Sequence, residues 1–234
     1  MKMPSLLSDK VLSFLTRSVA ALVLIPGVLL IFYLGVFYTK SFLYGLAALC
    51  IGEWLYVCFK GALPQTLLKK ISVILLGILY IFLGFFGLFG ILQHSSFTLM
   101  GVFLMIWGSD TGAYLVGNLL KGPKLWPSVS PGKTWSGFVG GFLTSVGVGY
   151  ILYKSYNWPD LMDLPLTTPK GVLGVIALIA FAAPFGDLLE SWVKRRFQIK
   201  DSSHLIPGHG GILDRLDSLL SVGLLLLMIN WIVR

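Results

Sequence analysis

The chain has 234 residues, of which 56% are hydrophobic and only 12% charged, and its formal net charge is +8. A soluble domain carries about 25% charged residues, so this composition cannot cover a water-facing globule and reads instead as an integral membrane protein. A basic balance in a soluble protein favours nucleic acid, but no basic stripe with interleaved aromatics lies outside the apolar segments. No nucleic-acid partner is expected, and the basic residues are read as marking a cytoplasmic side and its anionic lipid surface.

In chain order, residues 1–18 come first, with Leu7, Val11, Phe14 and Ser18 at helical spacing and Leu15 beside them. This suits a short helix lying on a membrane face or a frayed tail. The apolar run 19–38 is too long for the core of a cleavable leader and lacks a small-residue exit, so it reads as a retained first span. A span needs about 20 mostly apolar residues. Seven candidates result: roughly 19–38, 41–59, 71–92, 96–117, 135–153, 171–193 and 217–233. The third is rich in glycine (Gly77, Gly84, Gly87, Gly90), and a broken or re-entrant form stays open for it. Cys50 and Cys58 share one apolar segment and offer neither zinc spacing nor a disulfide framework. The expected fold is all-α: a polytopic membrane helical bundle of about seven spans. N-terminal spans occupy 1–95 and a catalytic membrane region occupies 96–234.

Placing the N-terminus in the cytoplasm puts fourteen of the eighteen basic residues on that side and leaves Lys40, Lys154, Lys170 and Arg234 outside. The acids then share a depth. Asp110 lies late in one inward-running span, Asp187 and Glu190 late in another, and Asp214 and Asp217 at the start of the last, outward-running span. An ionised carboxylate in a span costs a few kcal/mol, so it usually has a partner or a task. Glu53 stands as the main exception to the cluster.

Three groups of residues carry chemistry. In the first, Asp187, Glu190 with Ser191, and Lys194 share one helical face if residues 185–200 form one helix. The bland alternative for Lys194, Arg195 and Arg196 is a positive anchor at a span end. In the second, His209, Gly210 and Gly211 lead into Asp214, Arg215 and Asp217. Glycines admit the close approach of an anion, and a helix beginning just after them adds its positive end. Two carboxylates on one face suit Mg²⁺ or a similar hard cation rather than zinc. Taken singly, the glycines could be a tight turn and Asp214 a helix cap. In the third, residues 107–114 (WGSDTGAY) precede Ser130, Pro131, Gly132, Lys133 and Thr134. The latter run looks like the end of a nucleotide-binding glycine loop but has Pro127 where that loop needs glycine. Lys133 is either a span anchor or a phosphate contact. His94 and His204 have no partners at ligand spacing. No Ser/His/Asp or Cys/His set offers a covalent nucleophile, which suits phosphoryl or nucleotidyl transfer, where positioning and charge neutralisation dominate.

Residues 191–217 resemble the signature of the phosphatidate cytidylyltransferases. Ser191, Lys194, Arg195, Lys200, Asp201, Ser203, Pro207, His209, Gly210, Gly211, Asp214, Arg215 and Asp217 fall on its fixed positions. The family's Asp-Thr-Gly-Ala-Tyr is matched at 110–114, and its Ser-Pro-Lys-Lys-Thr at 130–134 with Gly132 in place of the first lysine. The resemblance covers the C-terminal half. It implies that CTP and phosphatidic acid give CDP-diacylglycerol and pyrophosphate; the basic residues place the site at the cytoplasmic face, and the short, domain-free build suits a bacterial inner membrane. The resemblance implies Asp187, Asp214, Lys194 and Lys200 as catalytic residues. Ser130, Lys133, Arg195, Asp201, His209, Gly210, Gly211 and Arg215 would bind substrate, with Asp201 orienting Lys200 or Arg215. Asp187, Asp214, Asp217 and Asp110 would hold Mg²⁺, with a second, monovalent cation left open. A homodimer is consistent with the family. The rivals are a CTP-dependent lipid kinase, which would attack the γ-phosphorus, and an ion or proton transporter, whose acids should line a path across the midplane.

Overall fold

The computed structural model describes residues 22–61, 66–92, 95–156, 168–203, 205 and 210–233. The readings of residues 1–18, of His94, His204 and His209, and of Arg234 lie outside the described residues. Among the described residues, six helices are long and apolar enough to cross a membrane: α2 (Val36–Lys60), α3 (Leu67–Leu92), α4 (Ser96–Leu120), α5 (Trp135–Tyr156), α6 (Pro169–Arg196) and α7 (Leu213–Val233). A shorter apolar helix, α1 (Leu22–Tyr33), precedes them. The chain is an integral membrane protein built as a helical bundle.

One expectation needs correction, one open alternative is decided, and one connection proves to be structured. The first span was drawn through to residue 38, but the chain turns at Gly35 and α2 begins at Val36. Gly35 has φ 101°, a left-handed conformation in which a Cβ is strained. The glycine-rich third segment is neither broken nor re-entrant: α3 is one continuous helix. Residues 124–134 are not a plain connection. They form a hairpin of β1 (Lys124–Trp126) and β2 (Ser130–Thr134), antiparallel, with Trp126 opposite Ser130 and Lys124 opposite Thr134. The residues that looked like the end of a nucleotide-binding loop are therefore a strand. Thr134 ends it and caps α5, its Oγ1 accepting from the Gly137 N–H at 3.1 Å.

Lipid-facing and core-facing surfaces separate as they do in a bundle that meets no water on its flanks. Phe37, Phe59, Leu119 and Trp231 are among the large apolar side chains left exposed, whereas Leu43, Leu88, Leu99, Met105, Ile176 and Leu220 are fully enclosed. Between helices in lipid, close packing and hydrogen bonds replace the hydrophobic drive. Glycines supply the packing: a Cβ on Gly87 of α3 would meet the Gly223 carbonyl of α7, and one on Gly186 of α6 would meet the Asp217 carbonyl of α7. The hydrogen bonds link the same partners. Trp54 Nε1 donates to the Ile74 carbonyl at 3.1 Å, joining α2 to α3, and Tyr80 and Ser221 share a bond of 2.9 Å, joining α3 to α7.

The helices alternate in direction, so α2, α4 and α6 end, and α3, α5 and α7 begin, at one end of the bundle. Trp54 and Phe197 stack edge to face there at 5.8 Å, and Arg195 Nε donates to the Val129 carbonyl of the hairpin turn at 3.3 Å. Of the described basic residues, only Lys40, Lys154 and Lys170 stand at the opposite end.

The Gly87 crossing makes a stability prediction. Gly87→Ala should overpack α3 against α7 and cost about 1–3 kcal/mol. Gly147→Ala, where a Cβ meets nothing within 4 Å, should be neutral or stabilising by up to about 1 kcal/mol. Thermal unfolding of both variants in detergent measures the contrast.

Candidate active site

Two lysine–carboxylate pairs organise the basic end. Lys133, on β2, lies 2.6 Å from Asp187 Oδ2 on α6. Lys194, near the end of α6, lies 2.6 Å from Asp214 Oδ1 in the first turn of α7 and 3.3 Å from Glu190 Oε2 one turn back. The helix expected over 185–200 is present through Asp187, Glu190 and Lys194 but ends at Arg196, with Phe197 as its cap, so residues 197–200 lie outside it. The shared face is used differently along its length. Ser191 Oγ donates to Asp187 Oδ1 at 3.3 Å, while Lys194 turns toward α7.

Asp214 is held from three sides. Besides Lys194 it accepts from the Ser202 N–H at 3.0 Å and from the Gly211 N–H at 2.9 Å. This is why residues 210–211 must be glycines. Gly210 has φ 84°, and a Cβ there would press on Asp214 Oδ2; a Cβ on Gly211 would overlap Ser202 Oγ and the Glu53 carboxylate. The expectation that both glycines bare their N–H groups to a phosphate is corrected for Gly211, because its N–H is taken by Asp214.

The four acids expected to ligate a metal do not meet as one cluster. Among the described residues, no group of three or more His, Cys, Asp or Glu side chains is placed to hold an ion. Asp214 is tied to the loop as above. Asp217 is buried, accepts from the Ser218 N–H and faces Glu190 across the α6–α7 crossing. Both oxygens of Glu190 are buried, and among the described residues its polar neighbours are the Lys194 ammonium, 3.3 Å from Oε2, and Asp217, neither in good hydrogen-bond geometry. Asp110 and Asp187 remain, within electrostatic range of each other and of Lys133, with Arg215 also near Asp110. Two carboxylates fit Mg²⁺ well enough, since that ion is commonly held by one or two carboxylates and completed by substrate phosphates and water.

The other expected site residues disperse around this centre. Arg195 braces the hairpin through Val129, and Ser130 opens β2. Lys200 and Asp201 are exposed. They line a cleft of about 190 Å³ with Tyr56, Val57 and Lys60 of α2. Asp201 makes no ion pair with Lys200 among the described residues. Arg215 is exposed one residue after Asp214.

One residue was misplaced by sequence reasoning. Glu53 is not an exception in depth: its carboxylate accepts from the Ile212 N–H at 2.9 Å and the Leu213 N–H at 2.7 Å, at the start of α7. The signal was available, since Glu53 precedes Lys60 by about as much as Asp187 precedes Lys194 and Arg195. With this correction every described acid lies toward the basic end, and the described acids trace no path across the bundle.

The chain matches the model of the cytidylyltransferase family over residues 62–233. It is similar to the phosphatidate cytidylyltransferase of Brucella suis biovar 1, 41% identical over 129 residues, covering 55% of this chain and 45% of the relative. It is likewise similar to that of Staphylococcus epidermidis RP62A, 37% identical over 186 residues, covering 73% of this chain and 69% of the relative. The relative in Staphylococcus aureus COL is 38% identical over 150 residues, 63% of this chain and 54% of that protein. The match thus spans about half the length of the Brucella and S. aureus relatives.

The two lysine pairs differ in burial, and this fixes their worth. Lys194 and Asp214 are only 14% and 7% exposed at their side chains, Lys133 and Asp187 26% and 37%. Lys194→Met strands Asp214 and Glu190 and should cost about 3–5 kcal/mol. Lys133→Met should cost about 0–1 kcal/mol. Unfolding midpoints of the two variants in the same detergent should separate accordingly.

Proposed function

The chain belongs to the cytidylyltransferase family, and from that premise we propose that it transfers a cytidylyl group from CTP to phosphatidic acid, releasing pyrophosphate. The observation that carries the reading is the convergence of three separate sequence motifs through two ion pairs, Lys133–Asp187 and Lys194–Asp214. They come together at the end of the bundle where a leaflet-bound phosphate and a soluble nucleotide can both arrive. The concentration of basic residues at that end supports a cytoplasm-facing site in a bacterial inner membrane.

The reaction asks for positioning and charge neutralisation. An oxygen of the lipid phosphate attacks the α-phosphorus of CTP in line. The new P–O bond forms as the bond to the bridging oxygen of the β-phosphate breaks, and pyrophosphate carries that electron pair away. A phosphate monoester is already anionic at neutral pH, so no protein base is needed to generate the nucleophile. Lys133 is the solvent-reachable cation beside Asp187 and is suited to exchange that carboxylate for a phosphate oxygen. Arg215 and Lys200 add positive charge around the same loop, and Lys194 holds the buried acids so that Asp214 keeps the loop closed. Asp187 and Asp110 are the residues that would hold Mg²⁺ with the triphosphate, and that ion would supply further charge neutralisation.

Purified protein given CTP, phosphatidic acid and Mg²⁺ should move label from the cytidine ring into the lipid phase. Label that stays aqueous while γ-phosphate label enters lipid would replace this reading with a lipid kinase. Asp214→Asn should lose about 100-fold or more in turnover through loop misplacement while remaining inserted; wild-type turnover would remove Asp214 from the site. Lys133→Ala should mainly raise KM for CTP, and unchanged KM for both substrates would return Lys133 to a span anchor.

A further inference from the structure

Glu53 has no part in the reaction described above, and it precedes the stretch that the family model matches, which begins at residue 62. Among the described acids it nevertheless meets the most donors. Its side chain is 4% exposed. Oε1 accepts from the Ile212 N–H at 2.9 Å and from Ser203 Oγ at 2.5 Å. Oε2 accepts from the Leu213 N–H at 2.7 Å and from Ser202 Oγ at 3.1 Å.

The need for such a group is visible in the sequence of the loop. The first N–H groups of a helix have no partner within it. They are usually met by a Ser, Thr, Asn or Asp side chain at the preceding position. At α7 that position is Ile212, whose side chain cannot accept a hydrogen bond. The cap comes instead from α2, far away in sequence. A buried carboxylate without several donors would be costly; here two fixed N–H groups at the positive end of α7 and two serine hydroxyls satisfy it. The bonds continue into the site. Ser202 gives its hydroxyl to Glu53 and its N–H to Asp214, and Asp214 binds Lys194. Gly211 has no side chain where one would strike Glu53.

We propose that Glu53 is a positioning residue for the active site: from α2 it clamps Ser202 and Ser203 to Ile212 and Leu213 at the start of α7, and so sets where Asp214 and Lys194 stand. It touches no reacting atom. The negative charge and both oxygens are required, because each oxygen takes one backbone N–H. In Glu53→Gln either orientation of the amide sets an NH₂ against an N–H that cannot turn away. Glu53→Asp is too short to reach both.

The kinetic half of the test rests on the cytidylyl-transfer reading; the exchange half does not. Glu53→Gln in detergent should show amide exchange at Ile212 and Leu213 faster by about tenfold or more, with α4 and α5 unchanged. Its kcat/KM for CTP per folded molecule should fall about 100-fold. Ser203→Ala, which keeps both backbone donors, should lose about tenfold or less and stands in if Glu53→Gln does not accumulate. Unchanged exchange at residues 212–213 would overturn the proposal. So would a loss confined to the amount of folded protein, with the remaining molecules keeping wild-type constants for CTP; for Ser203→Ala alone, wild-type exchange and constants would do the same. If the wild-type protein transfers no cytidylyl group, the function reading fails and the exchange result decides the role of Glu53.

Discussion

The Lys194 ammonium sits where α6 ends and α7 begins, with the Asp214 and Glu190 carboxylates on either side of it. Around this point α6, Ser202 and Gly211 are tied to α7, because Asp214 reaches both to Lys194 and to the backbone N–H groups of those two residues. Buried charge of this kind is weak evidence for stability, since desolvation offsets much of the attraction. Its use is geometric: with both partners present the helices meet in one register, and with one missing the other is stranded. Lys133 and Asp187, more exposed, make the looser pair on the open side.

Two features of the bundle let this arrangement exist at a membrane margin. Glycines at the crossings bring α7 close to α3 and α6, so that Asp217 and Glu190 face each other over a short gap. The alternation of the helices then gathers the basic loops at one end. There the carboxylates that an apolar span would reject find lysines, serine hydroxyls and backbone N–H groups. A site for a lipid phosphate and a soluble nucleotide needs such a boundary, polar enough to hold phosphates and shallow enough to meet the leaflet.

The hairpin and the loop after α6 divide the work expected of a phosphate site. Thr134 is spent on capping α5, and Gly211 on admitting Glu53 and bonding Asp214. Lys133, Arg215 and Lys200 are left on the outside. A short run of Ser, Pro, Gly, Lys and Thr thus acts mainly as a strand and a helix cap that holds one lysine opposite Asp187. Motif resemblance picks out such a run without stating which contacts its residues make.

The sequence alone determined the class of protein, the placement of all six long helices to within a few residues, the sidedness of the charges and the set of motifs that meet. These follow from properties carried locally: apolar length, basic flanks and fixed spacing along one helix, as for Glu190 and Lys194. Only the tertiary structure decided which charges pair, that the four acids do not form one ligand group, that residues 130–134 are a strand, and that Glu53 belongs with the loop far along the chain. Those outcomes depend on which donors lie across a helix crossing. A carboxylate in a span must find a partner, but its spacing from neighbours on its own helix does not say which neighbouring helix supplies one.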